Sequence, residues 1–130
     1  MIVVDASAVL EVLLRTADAG AVEERLFASG ERLHAPHLLD IEVTHAIRRH
    51  RLLGEIAERR ASDAMELLGA LPIRRHEHRP LLSRVWALHR NLTAYDAAYV
   101  ALAEALDAPL VTRDARLASA SGHRAIVELV

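Results

Sequence analysis

TAYDAAYVALAEAL, Thr93 to Leu106, is apolar around almost its whole circumference and yet carries Asp96 in its first turn. A surface helix keeps a polar face toward water, and here Glu104 is the only other charge across about four turns, so the pattern predicts a buried helix. The next residues, DAPLVTRD (107–114), stop that helix at Pro109 and supply a short apolar run closing on Asp114, which reads as a strand. The same grammar holds at the other end of the chain. MIVV is a β-branched run, and ASAVLEVLLR after it places Val9, Leu10, Leu13 and Leu14 at helical recurrence.

Between these two ends the alternation continues. ADAGAVEERLFAS (17–29) predicts a helix, RLHA (32–35) a strand, and HLLDIEVTHAIRRH (37–50) a helix opened after Pro36 and closed by Leu52-Leu53-Gly54. EIAERRASDAMELLGAL (55–71) is an amphipathic helix, LPIR (71–74) a strand, and RPLLSRVWALHR (79–90) one helix with Pro80 in its first turn. RDARLASAS gives a turn and short helix, and AIVELV a last strand. Strands that alternate with helices favour parallel pairing, because parallel neighbours need long crossover connections and helices supply them. The expectation is a single α/β domain over residues 1–130, a three-layer α/β/α sandwich around a mainly parallel sheet.

The composition narrows the chemistry. With 130 residues, 52% of them apolar, the chain matches one core. The absence of cysteine removes disulfides, thiolate metal sites and a cysteine nucleophile, and fits a reducing cytoplasm. The start MIVVD lacks the basic flank and long apolar core of a signal peptide, and no run reaches membrane-spanning length, so a cytoplasmic protein without membrane contact is expected. A formal charge of -2 gives no overall basic footprint, so nucleic-acid binding must rest on local patches. All sixteen basic residues are arginine, whose planar fork matches phosphate oxygens, although a GC-rich genome gives the same bias.

Asp96 has an ordinary explanation. With Thr93 as N-cap it sits at the third helical position of a capping-box variant, where a carboxylate also complements the helix dipole. Asp5, at the end of the first strand, and Asp114, at the end of PLVT, are N-cap candidates by the same reasoning. Taken together, however, they put three acids where strands hand over to helices, and in an open parallel sheet those carboxyl ends form the ligand crevice. A helical wheel of residues 37–50 adds Glu42, which falls inside the apolar arc of Leu38, Leu39, Val43, Ala46 and Ile47; Asp40 lies at its edge. An inward glutamate either pairs with an arginine or joins the other acids. Four such carboxylates without matching cations repel one another, and a hard divalent cation, Mg²⁺ or Mn²⁺, resolves the conflict. Metal-assisted attack of water on a phosphodiester follows as the chemistry.

The segments VVDAS, DIEVTHAIRR, LTAYDAAYVALAE and LVTRDARL, in that order across the chain, resemble the PIN-domain family and in particular the VapC toxins of toxin–antitoxin pairs. The resemblance implies that Asp5, Glu42, Asp96 and Asp114 form the acidic quartet that binds Mg²⁺, with Mn²⁺ able to substitute. It implies that Ser7 and Thr112 are hydroxyls orienting a carboxylate or a metal-bound water. It also implies a ribonuclease, commonly a homodimer, inhibited by a cognate VapB-like antitoxin whose tail enters the active-site groove. The family often carries a further acid two residues beyond the fourth; Arg116 stands there, which implies one firm metal site and a second filled only alongside substrate.

Basic residues offer three patches. Arg48, Arg49, His50 and Arg51 end the Glu42 helix, where cations also suit the dipole. Arg74, Arg75, His76, His78 and Arg79 form the second, and Arg113 with Arg116, flanking Asp114, the third and the first candidates for phosphate contact. Zinc is disfavoured, since H-E-x-x-H is absent and HEH (76–78) has no third ligand. Trp86 shares a stripe with Leu82, Val85, Leu88 and Leu92 and reads as core or dimer surface. Two rival functions fit parts of the pattern. A haloacid-dehalogenase-like phosphatase requires a second Asp where Ser7 stands, and a non-catalytic binding module on the same fold would not need the quartet.

Overall fold

A computed structural model describes residues 1–130. The elements are β1 (Ile2–Val4), α1 (Ala6–Leu14), α2 (Ala19–Leu26), β2 (Leu33–Pro36), α3 (Leu38–Leu52), α4 (Glu58–Ala70), β3 (Ile73–His76), α5 (Leu82–Ala87), α6 (Ala94–Leu106), β4 (Leu110–Thr112), α7 (Ala115–Ala118) and β5 (Val127–Leu129). The sheet has five strands in the order β3-β2-β1-β4-β5, and every pairing is parallel. The expected mainly parallel sheet is therefore wholly parallel.

This order decides where a ligand can sit. From β1 the chain steps outward through β2 to β3, then returns across the sheet to β4 and β5. Right-handed crossovers put the helices of the two runs on opposite faces. Accordingly α1 packs with α2, α3 and α4, while α6 packs with α5 and lies over β1, β2 and β4. The connections leaving β1 and β4 diverge to different faces, and the crevice between their carboxyl ends is the topological switch point of the sheet.

Helix α6 is buried along Ala97–Ala103, seven consecutive residues, as its lack of a polar face requires. The alanines let its backbone sit close to the sheet, and Tyr99 is its one buried aromatic side chain. Val3, Val4, Leu110 and Val111 fill the centre of the sheet and are buried on both faces, as parallel strands under two helical layers must be. No helix is long and apolar enough to cross a membrane.

Two local expectations need correction. Residues 79–90 are not one helix: Pro80 lies in a 3₁₀ turn, Arg79–Leu81, and α5 ends at Ala87. Trp86 is not core, being 70% exposed with its indole stacked on the His89 ring at a centroid distance of 4.2 Å. The proposed stripe divides: Val85 and Leu88 turn inward, whereas Leu82 and Trp86, one helical turn apart, face outward.

Candidate active site at the carboxyl ends of β1 and β4

Asp5 follows β1 and caps α1, so the capping reading is correct as far as it goes: its Oδ1 accepts from the Ala8 N–H at 3.0 Å and from the Ser7 hydroxyl at 2.7 Å. Its Oδ2 accepts from the Thr112 hydroxyl at the end of β4. Thr112 Oγ1 in turn accepts from the Asp114 N–H at 2.9 Å, and Ser7 Oγ from the Arg113 N–H at 2.8 Å. Both hydroxyl protons are committed to Asp5, so the 3.2 Å approach of Ser7 to Thr112 is proximity rather than a further hydrogen bond. These two hydroxyls therefore fasten the end of β1 to the end of β4 and fix the Asp5 carboxylate.

Asp114 caps α7 and accepts from the Arg116 N–H at 2.8 Å. Thr93 caps α6 by accepting from the Asp96 N–H at 3.2 Å. The reciprocal arm of the capping box, in which the Asp96 carboxylate would accept from the Thr93 N–H, is not formed, although the Thr93 hydroxyl stands close enough to lower the Asp96 pKa. Glu42 is half-buried at the edge of the apolar face that Leu39, Val43 and Ile47 make on α3, rather than in the middle of it. No arginine pairs with it. Its Oε1 is buried without a hydrogen-bond partner, and so is the Tyr99 hydroxyl of α6. The two groups perturb each other's proton affinity, so they are neighbours, but neither atom completes a hydrogen bond in this conformation.

The electrostatics follow from this gathering. Burial pushes the Asp5 carboxyl up from the usual range, outweighing its hydrogen bonds, and Asp96 adds to the rise. Burial also raises Glu42; the nearby Tyr99 hydroxyl opposes the rise, and repulsion from Asp96 and Asp5 adds to it. Asp96 is raised by burial first and then by Asp114, with the Thr93 hydroxyl and then Arg116 opposing. Asp96 thus stands at the electrostatic centre of the group, coupled to each of the other three. No three carboxylates or imidazoles are close enough to grip one ion directly. The acids form a crevice of unbalanced negative charge rather than a ready cage, and this suits a hydrated hard cation that takes one or two carboxylates and reaches the rest through water.

The two arginines singled out for phosphate separate. Arg113 is held by Asp18 at 2.8 Å, by Glu11 at 3.6 Å and by the Val130 carbonyl. Arg116 is 92% exposed, and its 3.5 Å contact with Asp114 is a surface pair that solvent weakens. Asp40 is taken by Arg75 at 2.9 Å, away from the crevice. Sequence reasoning missed Tyr99, although its position one turn beyond Asp96 on a helix without a polar face was a readable signal.

Comparison with known proteins gives the family. The PIN domain family matches residues 2–122. Ribonuclease VapC1 of Mycobacterium tuberculosis is 46% identical over 98% of the chain and 96% of its own length. Ribonuclease VapC12 of the same organism is 43% identical over 100% and 99%. Among solved structures, a Pyrobaculum aerophilum protein superposes with a TM-score of 0.73 at 25% identity, covering 97% of this chain and 81% of its own. VapC20 of Mycobacterium tuberculosis, described as a sarcin-ricin loop cleaving toxin, gives 0.68 at 18% identity over 97% and 98% and speaks to the fold alone. The chain therefore belongs to the PIN-domain family, among the VapC ribonucleases.

Proposed function

We propose that the chain is a divalent-metal-dependent endoribonuclease that acts as the toxin of a toxin–antitoxin pair. The observation that carries this reading is Asp96 set among Asp5, Glu42 and Asp114 at the sheet's switch point, with three of the four carboxyls raised by burial and mutual repulsion and no buried cation to balance them. Asp5, Asp96 and Asp114 are the principal groups that would hold Mg²⁺, or Mn²⁺ in its place, one or two of them directly and the remainder, with Glu42, through its waters. When bound, the metal supplies Lewis-acid stabilisation of the phosphoryl oxygens and a water of lowered pKa.

The protein's own groups do the rest. Ser7 and Thr112 hold the Asp5 carboxylate in one orientation, so it need not reorganise as charge develops. Glu42 is half-buried with its Oε1 sealed in beside the Tyr99 hydroxyl, and the other oxygen of its carboxylate accepts a proton from the attacking water. Arg116 is free to swing toward a substrate phosphate, whereas Arg113 braces the end of β4 through Glu11 and Asp18.

The partners proposed are RNA, a VapB-like antitoxin and a second copy of the chain. VapBC2 of Rickettsia felis, solved with a fragment of promoter DNA, has the same fold at a TM-score of 0.69 and 12% identity over 99% of this chain and 98% of its own. The outward Leu82 and Trp86 of α5 supply an apolar surface for self-association. A cytoplasmic location is part of the same proposal.

The test is incubation of the purified chain with total cellular RNA and Mg²⁺ or Mn²⁺, with mapping of new 5′ ends. Discrete ends that vanish on metal chelation and in Asp5→Asn support the proposal. RNA left intact with either metal overturns it in favour of a binding module.

A further inference from the structure

Beside the acidic crevice, α3 turns a second face outward. Ile41, Glu42, His45 and Arg49 follow one another at helical spacing along it, and Tyr95 of α6 stands opposite, enclosing a cleft of about 410 Å³. Glu42 belongs to both the cleft and the acidic group, so the two are continuous, and Tyr95 precedes Asp96 directly in the chain. Tyr95 is 61% exposed and Ile41 70%, an apolar pair kept in water at the mouth of a charged site. Arg49 has no carboxylate partner, whereas Arg51, two residues on, is tied to Glu58, and Arg113 is enclosed by acids. The cleft thus combines a planar ring, an aliphatic floor, an imidazole and an uncommitted guanidinium beside a site of excess negative charge.

We propose that this cleft is a nucleotide subsite, in which the base of the ribonucleotide adjoining the cleaved phosphodiester stacks on Tyr95 over Ile41 while Arg49 meets its phosphate. The proposal rests on the reading of the acidic crevice as an RNA-cleaving site. Single-stranded RNA is recognised by splaying bases onto aromatic rings, and a stacking ring works for any base. Charge explains why the subsite needs Arg49: an RNA strand approaching the carboxylates meets repulsion that a nearby guanidinium offsets. His45 offers a ring nitrogen to the edge of the base and is the residue through which one base would be preferred.

The experiment measures binding without chemistry. A fluorescein-labelled random RNA octamer is titrated by anisotropy in chelator, so no metal is loaded and nothing is cleaved. Tyr95→Ala is expected to weaken binding about tenfold and Tyr95→Phe to leave it within about twofold, since stacking survives loss of the hydroxyl. Arg49→Ala is expected to lower the slope of log affinity against log salt by about 0.7, the loss of one contact to single-stranded phosphate. An octamer with abasic positions is expected to lose the Tyr95 dependence and keep that of Arg49. Both side chains are exposed, and melting curves check that the variants fold as the parent does. Equal binding by Tyr95→Ala and parent, or no binding by the parent, overturns the subsite. So does a shift in the monomer–dimer equilibrium of Tyr95→Ala, measured by sedimentation, without a change in octamer affinity, because a second copy would then be the occupant. A Tyr95-dependent octamer affinity in a protein that cleaves no RNA with metal would keep the subsite and remove the nuclease reading.

Discussion

Helix α6 carries two carboxylates about two turns apart that meet opposite environments. The Glu104 side chain is 4% exposed and held by the Arg84 guanidinium through two hydrogen bonds, at 2.7 and 2.9 Å, and by the Arg124 N–H at 2.8 Å. These partners lower its pKa to about 2. Asp96, at the other end of the same helix, has acids for neighbours and is raised. In one region the fold supplies the cations that a buried carboxylate requires, and the result is a clasp joining α5, α6 and the loop before β5. In the other it withholds them, so the charge is left for something that binds. A structural carboxylate and a functional one are told apart here by what surrounds them, since residue type and helix are shared.

The largest effect that separates the two regions is on cleavage. Asp96→Asn is expected to reduce metal-dependent RNA cleavage by about a thousandfold, the scale for removing a group that acts on the reacting atoms. Glu104→Gln is expected to leave the rate per folded molecule unchanged, with end-mapped RNA assays reading both. Loss of activity in Glu104→Gln without loss of fold would erase the distinction.

Stability is expected to respond the other way. Glu104→Gln removes a charged acceptor from Arg84 and Arg124 and should cost about 2 to 3 kcal/mol, lowering the melting temperature by roughly 6–10 °C. The sign of its pH dependence is fixed by the lowered pKa. The folded value of about 2 lies below the ordinary 4.5, so the stabilisation is fully present above pH 4.5 and is lost as pH falls toward 2. Urea unfolding of parent and variant at intervals from pH 7 to pH 2 should show a constant gap that closes below pH 4.5.

Smaller effects sharpen the picture within the crevice. Thr112→Val keeps the shape of the side chain but strands the Asp114 N–H and one oxygen of Asp5, an expected cost of about 1 to 2 kcal/mol in urea unfolding that Thr112→Ser should largely recover. The smallest effect has the opposite sign. Because the folded pKa of Asp96 is raised, the native state binds more protons than the unfolded one, and ionisation costs stability as pH rises through the folded value. In metal-free buffer at pH 7, Asp96→Asn should therefore be more stable than the parent by about 1 kcal/mol. A destabilised Asp96→Asn would place Asp96 with Glu104 rather than opposite it.

The sequence showed one region better than the other, for a physical reason. Asp5, Asp96 and Asp114 are legible because each sits at a strand or helix boundary, a local feature, and parallel topology carries those boundaries to one edge. Glu42 is legible through helical periodicity, although it lies at the margin of the apolar arc. The Glu104 clasp is not legible, since Arg84 and Arg124 are distant in the chain on both sides and their approach depends on how the crossovers return. The same limit hid the enclosure of Arg113 by Glu11 and Asp18, the Asp40–Arg75 pair, and the contact between His34 and His76 at 2.8 Å across β2 and β3. Periodicity placed Trp86 on an apolar stripe, but α5 is too short for that stripe to stay covered along its length.

Uptake of Mn²⁺, followed by loss of the free-ion paramagnetic resonance signal, addresses the origin of this difference without recourse to RNA. The parent and Glu104→Gln should take up the ion alike, while Asp5→Asn and Asp96→Asn should take up far less at the same concentration. Equal uptake by all four proteins would mean that the acids after β1 and at the start of α6 hold no cation, and that their unbalanced charge needs another explanation.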